Sequence, residues 1–118
     1  MKLTDIITHC DKIKPNVYTY ADKRKWLEKI ETDIRRFADR FSNRETSLGF
    51  LDEENPELFL GQEERDLYVY YLISMIDISN QEYALYNNSS SFFNSLFSKW
   101  QKAYRRENLP LTQSQIKV

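Results

Sequence analysis

The sequence predicts an all-α domain, a compact bundle of about four helices. Three observations carry that expectation. The 118 residues include only 2 glycines and 3 prolines, too few turn formers for a many-stranded sheet protein. Apolar residues recur at helical rather than alternating spacing through most of the chain. The densest apolar run, Asp66 to Asp77, continues to about Ser79 without a turn residue, longer than a strand usually lasts. A chain of this length forms one domain with a genuine core. That domain is expected over 1–110, with 111–118 as a flexible tail that has no periodicity.

The first helix is expected from about Thr4 to Ile13. Leu3, Ile6, Ile7, Cys10 and Ile13 share one face, Thr4 is placed to cap, and Asp5 suits the positive dipole end. Pro15 ends it by disfavouring a helical Lys14. The second helix, about Ala21 to Phe41, carries a stripe through Trp26, Leu27, Ile30, Ile34, Phe37 and Phe41. Thr19 and Asp22 have capping-box spacing. Lys29 with Asp33, and Glu31 with Arg35, sit one turn apart on the opposite face and are expected to be solvated pairs worth about 0.3–0.5 kcal/mol each.

Residues 42–61 form one long acidic connection. Asn55-Pro56 is compatible with a capped helical turn to Leu60, and Leu58-Phe59-Leu60 equally with a short extended piece. Gln62, Glu63 and Glu64 supply an acidic start for the third helix, whose apolar residues occupy both sides, as in a central or interfacial helix. Asp77 near its end is expected to be buried and paired. After a break at Ser79-Asn80, a fourth helix should run from about Gln81 to Arg106. Tyr83, Tyr86, Phe93, Leu96, Phe97, Trp100 and Tyr104 form its stripe. The poor helix formers Asn87 to Ser91 are expected to loosen or kink it.

Charge is banded although the net value is −1. Residues 1–48 hold 11 basic and 8 acidic side chains, net +3. Residues 49–82 hold Arg65 against 9 acids, net −8, and residues 83–118 hold 5 basic and 1 acidic, net +4. Banding of this kind suits contacts between copies or with a partner. No run approaches the ~18 consecutive apolar residues of a membrane span, and the N-terminus lacks the apolar core of a signal peptide. One cysteine and one histidine leave no internal disulfide and no Cys/His zinc site, and point to a reducing compartment. The sequence shows no phosphate-binding glycine loop, metal-ligand spacing or nucleophile–base set. His9, one turn from Asp5, reads as an ordinary surface histidine.

Two blocks carry a resemblance. The first is Lys14-Pro15-Asn16-Val17-Tyr18, continuing through Asp22 to Leu27 and on to Ile30, Glu31 and Ile34. The second is Asp66 to Leu72, then Ile76-Asp77, Glu82-Tyr83, Tyr86-Asn87-Asn88-Ser89, Phe92-Phe93-Asn94 and Tyr104-Arg105-Arg106. Together, over most of residues 10–110, they resemble small head–tail connector, or head-completion adaptor, proteins of tailed phages and prophages of Gram-positive bacteria. The chain departs from that pattern at Asn80-Gln81, where the family usually has Asn-Gly, and in a longer tail past Pro110.

The resemblance implies a virion structural protein at the head–tail interface, assembled in the bacterial cytoplasm and possessing no catalytic residue or cofactor. Copies that can be monomeric when isolated would form a ring under the portal protein and offer a docking surface to a tail-completion protein. DNA would pass through without being specifically bound, and no membrane is involved. Tyr68, Tyr70, Tyr71, Tyr83 and Tyr86 are then core or neighbour-facing, and Tyr68 or Tyr70 to Ala is expected to cost assembly more than folding. Asp52, Glu53, Glu54, Glu57, Glu63 and Glu64 are candidates to face the channel and repel phosphates. The competing reading is a helical DNA-binding or regulatory module that uses the basic face of residues 23–40.

Overall fold

The computed structural model describes residues 1–41 and 47–108. Four α-helices make up the fold: α1 (Leu3–Ile13), α2 (Tyr20–Asp39), α3 (Arg65–Ser79) and α4 (Tyr83–Glu107). Two short 3-10 turns, Gly49–Asp52 and Gln62–Glu64, lie in the connection. The expected tail at 111–118 and the start of the connection at 42–46 lie outside the described residues.

α3 is the central element. Leu67, Tyr68, Val69, Leu72, Ile73 and Ile76 are all buried, on more than one side of the helix. α1 and α2 pack on α3 and on each other, while α4 packs chiefly on α3. The result is a bundle around α3, in which the far end of α4 also reaches α2 through Trp100, Tyr104 and Phe37. A helix without a polar face can be satisfied only in that central position.

α1 begins two residues earlier than a Thr4 cap implies, because the connection supplies the acceptors its first turn needs. Leu3 N donates to Pro56 O at 3.0 Å and Thr4 N to Asn55 Oδ1 at 3.1 Å. The Asp5 carboxylate accepts from Lys2 N at 2.9 Å. Thr4 is therefore inside the helix, and its cap comes from about fifty residues away. The Thr19–Asp22 box of α2 forms as expected, with Asp22 N donating to Thr19 Oγ1 at 3.1 Å and Thr19 N to Asp22 Oδ2 at 3.3 Å. Two orphan amides at the helix start are satisfied this way.

Of the two conformations open to Pro56–Leu60, the chain adopts the extended one. Glu57 forms an isolated antiparallel bridge with Lys2, and Leu58 N donates to Met1 O at 2.9 Å. Leu58 and Leu60 are thereby turned into the core.

α4 runs unbroken through Asn87–Ser91, against the expected kink. Packing on α3 overrides the weak intrinsic preference of this stretch, with Phe92 stacked on Tyr70 and Phe93 edge-on to Tyr71 just beyond it. Ser89 also anchors the helix to α3, as described below.

Candidate functional site

The turn between α3 and α4 is the most elaborately tied corner of the fold. Gln81 N donates to Ile78 O at 3.0 Å and Glu82 N to Asp77 O at 2.9 Å. This bond pair is a Schellman closure, which requires a left-handed residue between Asn80 and Glu82. Gln81 fills that position with φ of 61°. The turn is as sharp as a glycine would make it, but a side chain with a Cβ holds the strained conformation.

Schellman turns usually close over an apolar contact between the residue three positions before the cap and the one two positions after it. Here those residues are Asp77 and Glu82, and the Lys14 ammonium joins them. It pairs with Asp77 Oδ1 and lies 3.4 Å from Glu82 Oε1. The Asp77 side chain is 3% exposed and its other oxygen accepts from Ser89 Oγ at 2.7 Å. The hydrogen bond that Lys14 donates to Asp77 raises the Lys14 pKa. Tyr18 completes the corner, donating from its hydroxyl to Asn80 Oδ1 at 2.6 Å and meeting Trp26 edge-on at 5.4 Å. Asp77 is thus buried and paired, as its sequence context implies.

A second buried polar cluster lies further along α2. Glu31, expected on the solvated face, is fully buried. Its carboxylate accepts from Tyr68 Oη at 2.6 Å, Phe59 N at 2.7 Å and Arg35 Nε at 2.9 Å. Arg35 reaches on to Ser47 O and Glu57 O and covers the Phe50 ring. This cluster fastens the connection to α2 and α3. It also places Tyr68 at 0% exposure, so truncating Tyr68 acts on folding, contrary to the expected cost to assembly.

The other tyrosines are distributed over the α3–α4 seam. Tyr70 is half-buried and stacks on Phe92 at 5.2 Å, and Tyr71 is half-buried and meets Phe93 edge-on at 5.0 Å. Tyr86 is half-buried, whereas Tyr83 is 60% exposed. Toward the opposite end, Trp100 and Tyr104 of α4 close on Phe37 of α2. Sequence periodicity does not show that Phe92, which lies beside the predicted stripe, is 59% exposed.

The six acids do not act as one strip. Glu57 pairs with the N-terminal ammonium. Asp52, Glu53 and Glu54 are exposed on the α1–α2 side, where Arg24 of α2 binds the carbonyls of Glu53 and Glu54. Glu63 and Glu64, with Asp66, line a cavity of about 320 Å³ together with Leu67, Leu96, Lys99 and Trp100.

Four of the seven basic residues of 23–40 have internal partners, and the other three, Lys25, Arg36 and Arg40, are exposed. Lys23 is buried against Asp11, donating at 2.9 and 3.1 Å to its two oxygens. Arg24 pairs with Glu28, Lys29 with Asp33 and Arg35 with Glu31. One oxygen of the Asp5 carboxylate accepts from Lys2 N. Among the described residues, no group of His, Cys, Asp and Glu could hold a metal ion, and no helix is long and apolar enough to cross a membrane.

No protein-family model, curated protein or solved structure matches the chain.

Proposed function

We propose that this protein is a head–tail connector of a tailed phage or prophage, assembling as a ring under the portal, extending the DNA channel and docking a tail-completion protein. The observation that carries the proposal is the meeting of the two family-like blocks. Lys14 and Tyr18 of the first block are tied to Asp77, Asn80 and Glu82 of the second, and Ser89 of the second closes the same corner. Residues that resemble the family in sequence thus make a single structural unit. The position usually held by glycine keeps the left-handed backbone such a turn needs. The exposed aromatic surface of α4 supports an assembling rather than a solitary protein.

The channel-facing role falls to Glu63 and Glu64 with Asp66. Carboxylates at that position would let DNA pass without being gripped. Neutralising all three is expected to raise nonspecific, salt-sensitive affinity for duplex DNA. The basic face of α2 has a weaker claim to function, since Lys23, Arg24, Lys29 and Arg35 are paired within the chain, which leaves the exposed Lys25, Arg36 and Arg40 to carry it.

Mixing the full chain with the portal ring and imaging the product tests the assignment. A ring of copies seated under the portal is the expected result. Absence of binding under conditions that assemble the head–tail interface would sink it.

A further inference from the structure

The outer face of α4 is unlike the rest of the surface. The sixteen residues 83–98 hold no charge. Within them Tyr83, Leu85 and Phe92 are 60%, 45% and 59% exposed, and the exposed positions between are small or amide: Ala84, Asn88, Ser91 and Ser95. Aromatic residues amid depleted charge are the composition of an interface core, and small neighbours let another element approach closely. Further along the same face, the exposed residues become Lys99, Lys102 and Arg106.

The α1–α2 side repeats this order with complementary charge. Beside the α3–α4 corner, α1, α2 and the turn between them expose Ile13 at 55%, Val17 at 90% and Tyr20 at 45%. The contacts of Lys14 with Glu82 and of Tyr18 with Asn80 place this patch at the same end of the molecule as Tyr83 and Leu85. Away from that end, the α1–α2 side exposes Leu51, Asp52, Glu53 and Glu54. Near the corner both faces carry an apolar patch, set on the α1–α2 side among the exposed Lys12, Asp22 and Lys25, and beyond it they are cationic on α4 and anionic on the connection.

We infer that the outer face of α4 docks on the α1–α2 face of a second copy of this chain, α4's apolar half against Ile13, Val17 and Tyr20 and its basic half against Asp52 to Glu54. The inference rests on the ring proposed above and names its subunit contact. In a ring every copy points the same way, so features at one end meet features at the same end of the next copy, and the two faces in contact differ. Matching order along both faces meets that geometric demand. A two-fold dimer through α4 would not use the α1–α2 face at all. Asp52, Glu53 and Glu54 then serve the contact between copies rather than the channel.

Cysteine trapping tests this on the full chain assembled with the portal ring. Phe92→Cys and Val17→Cys placed in one chain should give, on oxidation, a ladder of covalent dimers, trimers and larger species. Each change alone should give none, and the natural thiol at Cys10 does not interfere, being fully buried. The exposed pair supplies a second readout. Lys102→Glu should weaken ring formation by about ten-fold, and Glu53→Lys in the same chain should restore it. Rings that form without a ladder and ignore both charge changes overturn this contact while leaving the connector assignment standing. A single covalent dimer from Phe92→Cys alone also overturns it, in favour of a two-fold pair. Absence of any ring on the portal overturns the contact and the connector assignment together.

Discussion

Tyr68 and Glu31, 37 residues apart in sequence, form a buried hydrogen bond of 2.6 Å that joins α3 to α2. The same phenol oxygen accepts from Leu60 N at 3.2 Å, so one side chain links two helices and the connection between them. Tyr68→Phe keeps the ring and leaves Glu31 and Leu60 N each short of a partner. It is expected to cost about 1–3 kcal/mol in denaturant unfolding. Tyr68→Ala adds a cavity and should cost about 3–5 kcal/mol. A loss below 0.5 kcal/mol for the phenylalanine variant would contradict the cluster.

Alkaline pH should destabilise the fold through three groups of the same sign. Burial, then the Asp11 charge, pushes the Cys10 thiol from 9.0 up to about 12. Burial, then the Glu31 charge, raises the Tyr68 phenol above its ordinary 10.0. The hydrogen bond to Asp77 raises Lys14 above 10.5. Each group releases its proton at lower pH when unfolded than when folded. Their stabilisation is therefore complete below the unfolded values and is lost as pH rises toward the folded ones. Urea midpoints should fall from near pH 9 and more steeply past 10, at about 1.4 kcal/mol per pH unit for each proton involved. Tyr68→Phe should flatten the part above pH 10.

Cys10 should resist alkylation in the native state. It is fully buried, and at pH 8 its raised pKa leaves little thiolate. Mass spectrometry after iodoacetamide treatment should show unmodified chain, with complete modification in denaturant. Fast modification of the folded protein would mean that α1 opens readily from α3.

Lys14→Met should expose the cost of the buried Asp77 carboxylate. Removing one partner of a largely buried ion pair costs about 3 kcal/mol, because the remaining charge is stranded. Asp77→Asn in the same chain should recover most of that loss, since the amide still accepts from Ser89. Equal destabilisation by the single and double variants would show that the Lys14–Asp77 pair is not the seat of the effect.

Gln81→Gly should stabilise the protein by about 0.5–1 kcal/mol, relief of the left-handed strain being partly offset by glycine's freedom when unfolded. The denaturant midpoint should rise with the slope unchanged. Gln81→Val, β-branched at positive φ, should do the reverse.

Local signals were read correctly where the causes are local. The apolar stripe of α2, its Thr19–Asp22 box and the stop at Pro15 all depend on residues a turn or less apart. The α3 run announced its central place because no other position suits a helix without a polar face. Glu31 was misread because i,i+4 spacing with Arg35 looks identical on a solvated face and in a core. What buries it is Tyr68 and Phe59 N, and neither is visible from α2. Thr4 lost its capping role for a similar reason, since Asn55 and Pro56 arrive from the connection. The aromatic stripe of α4 was legible as a stripe, but not the exposure of Tyr83 and Phe92, because the first half of α4 is covered by α3 on one side only while its far end also meets Phe37 of α2.

The corner clamp also bears on the order in which the chain folds. α3 and α4 adjoin in sequence and meet through a tight turn, whereas Tyr18 must close 62 residues to reach Asn80. Closing so long a loop is entropically late, so the hairpin of α3 and α4 should form first and the clamp last. Contacts made after the barrier govern the escape rate rather than the folding rate. The lifetime of the assembled subunit would then be set at this corner, where changes to Lys14, Tyr18 or Asn80 should speed unfolding and leave refolding almost untouched.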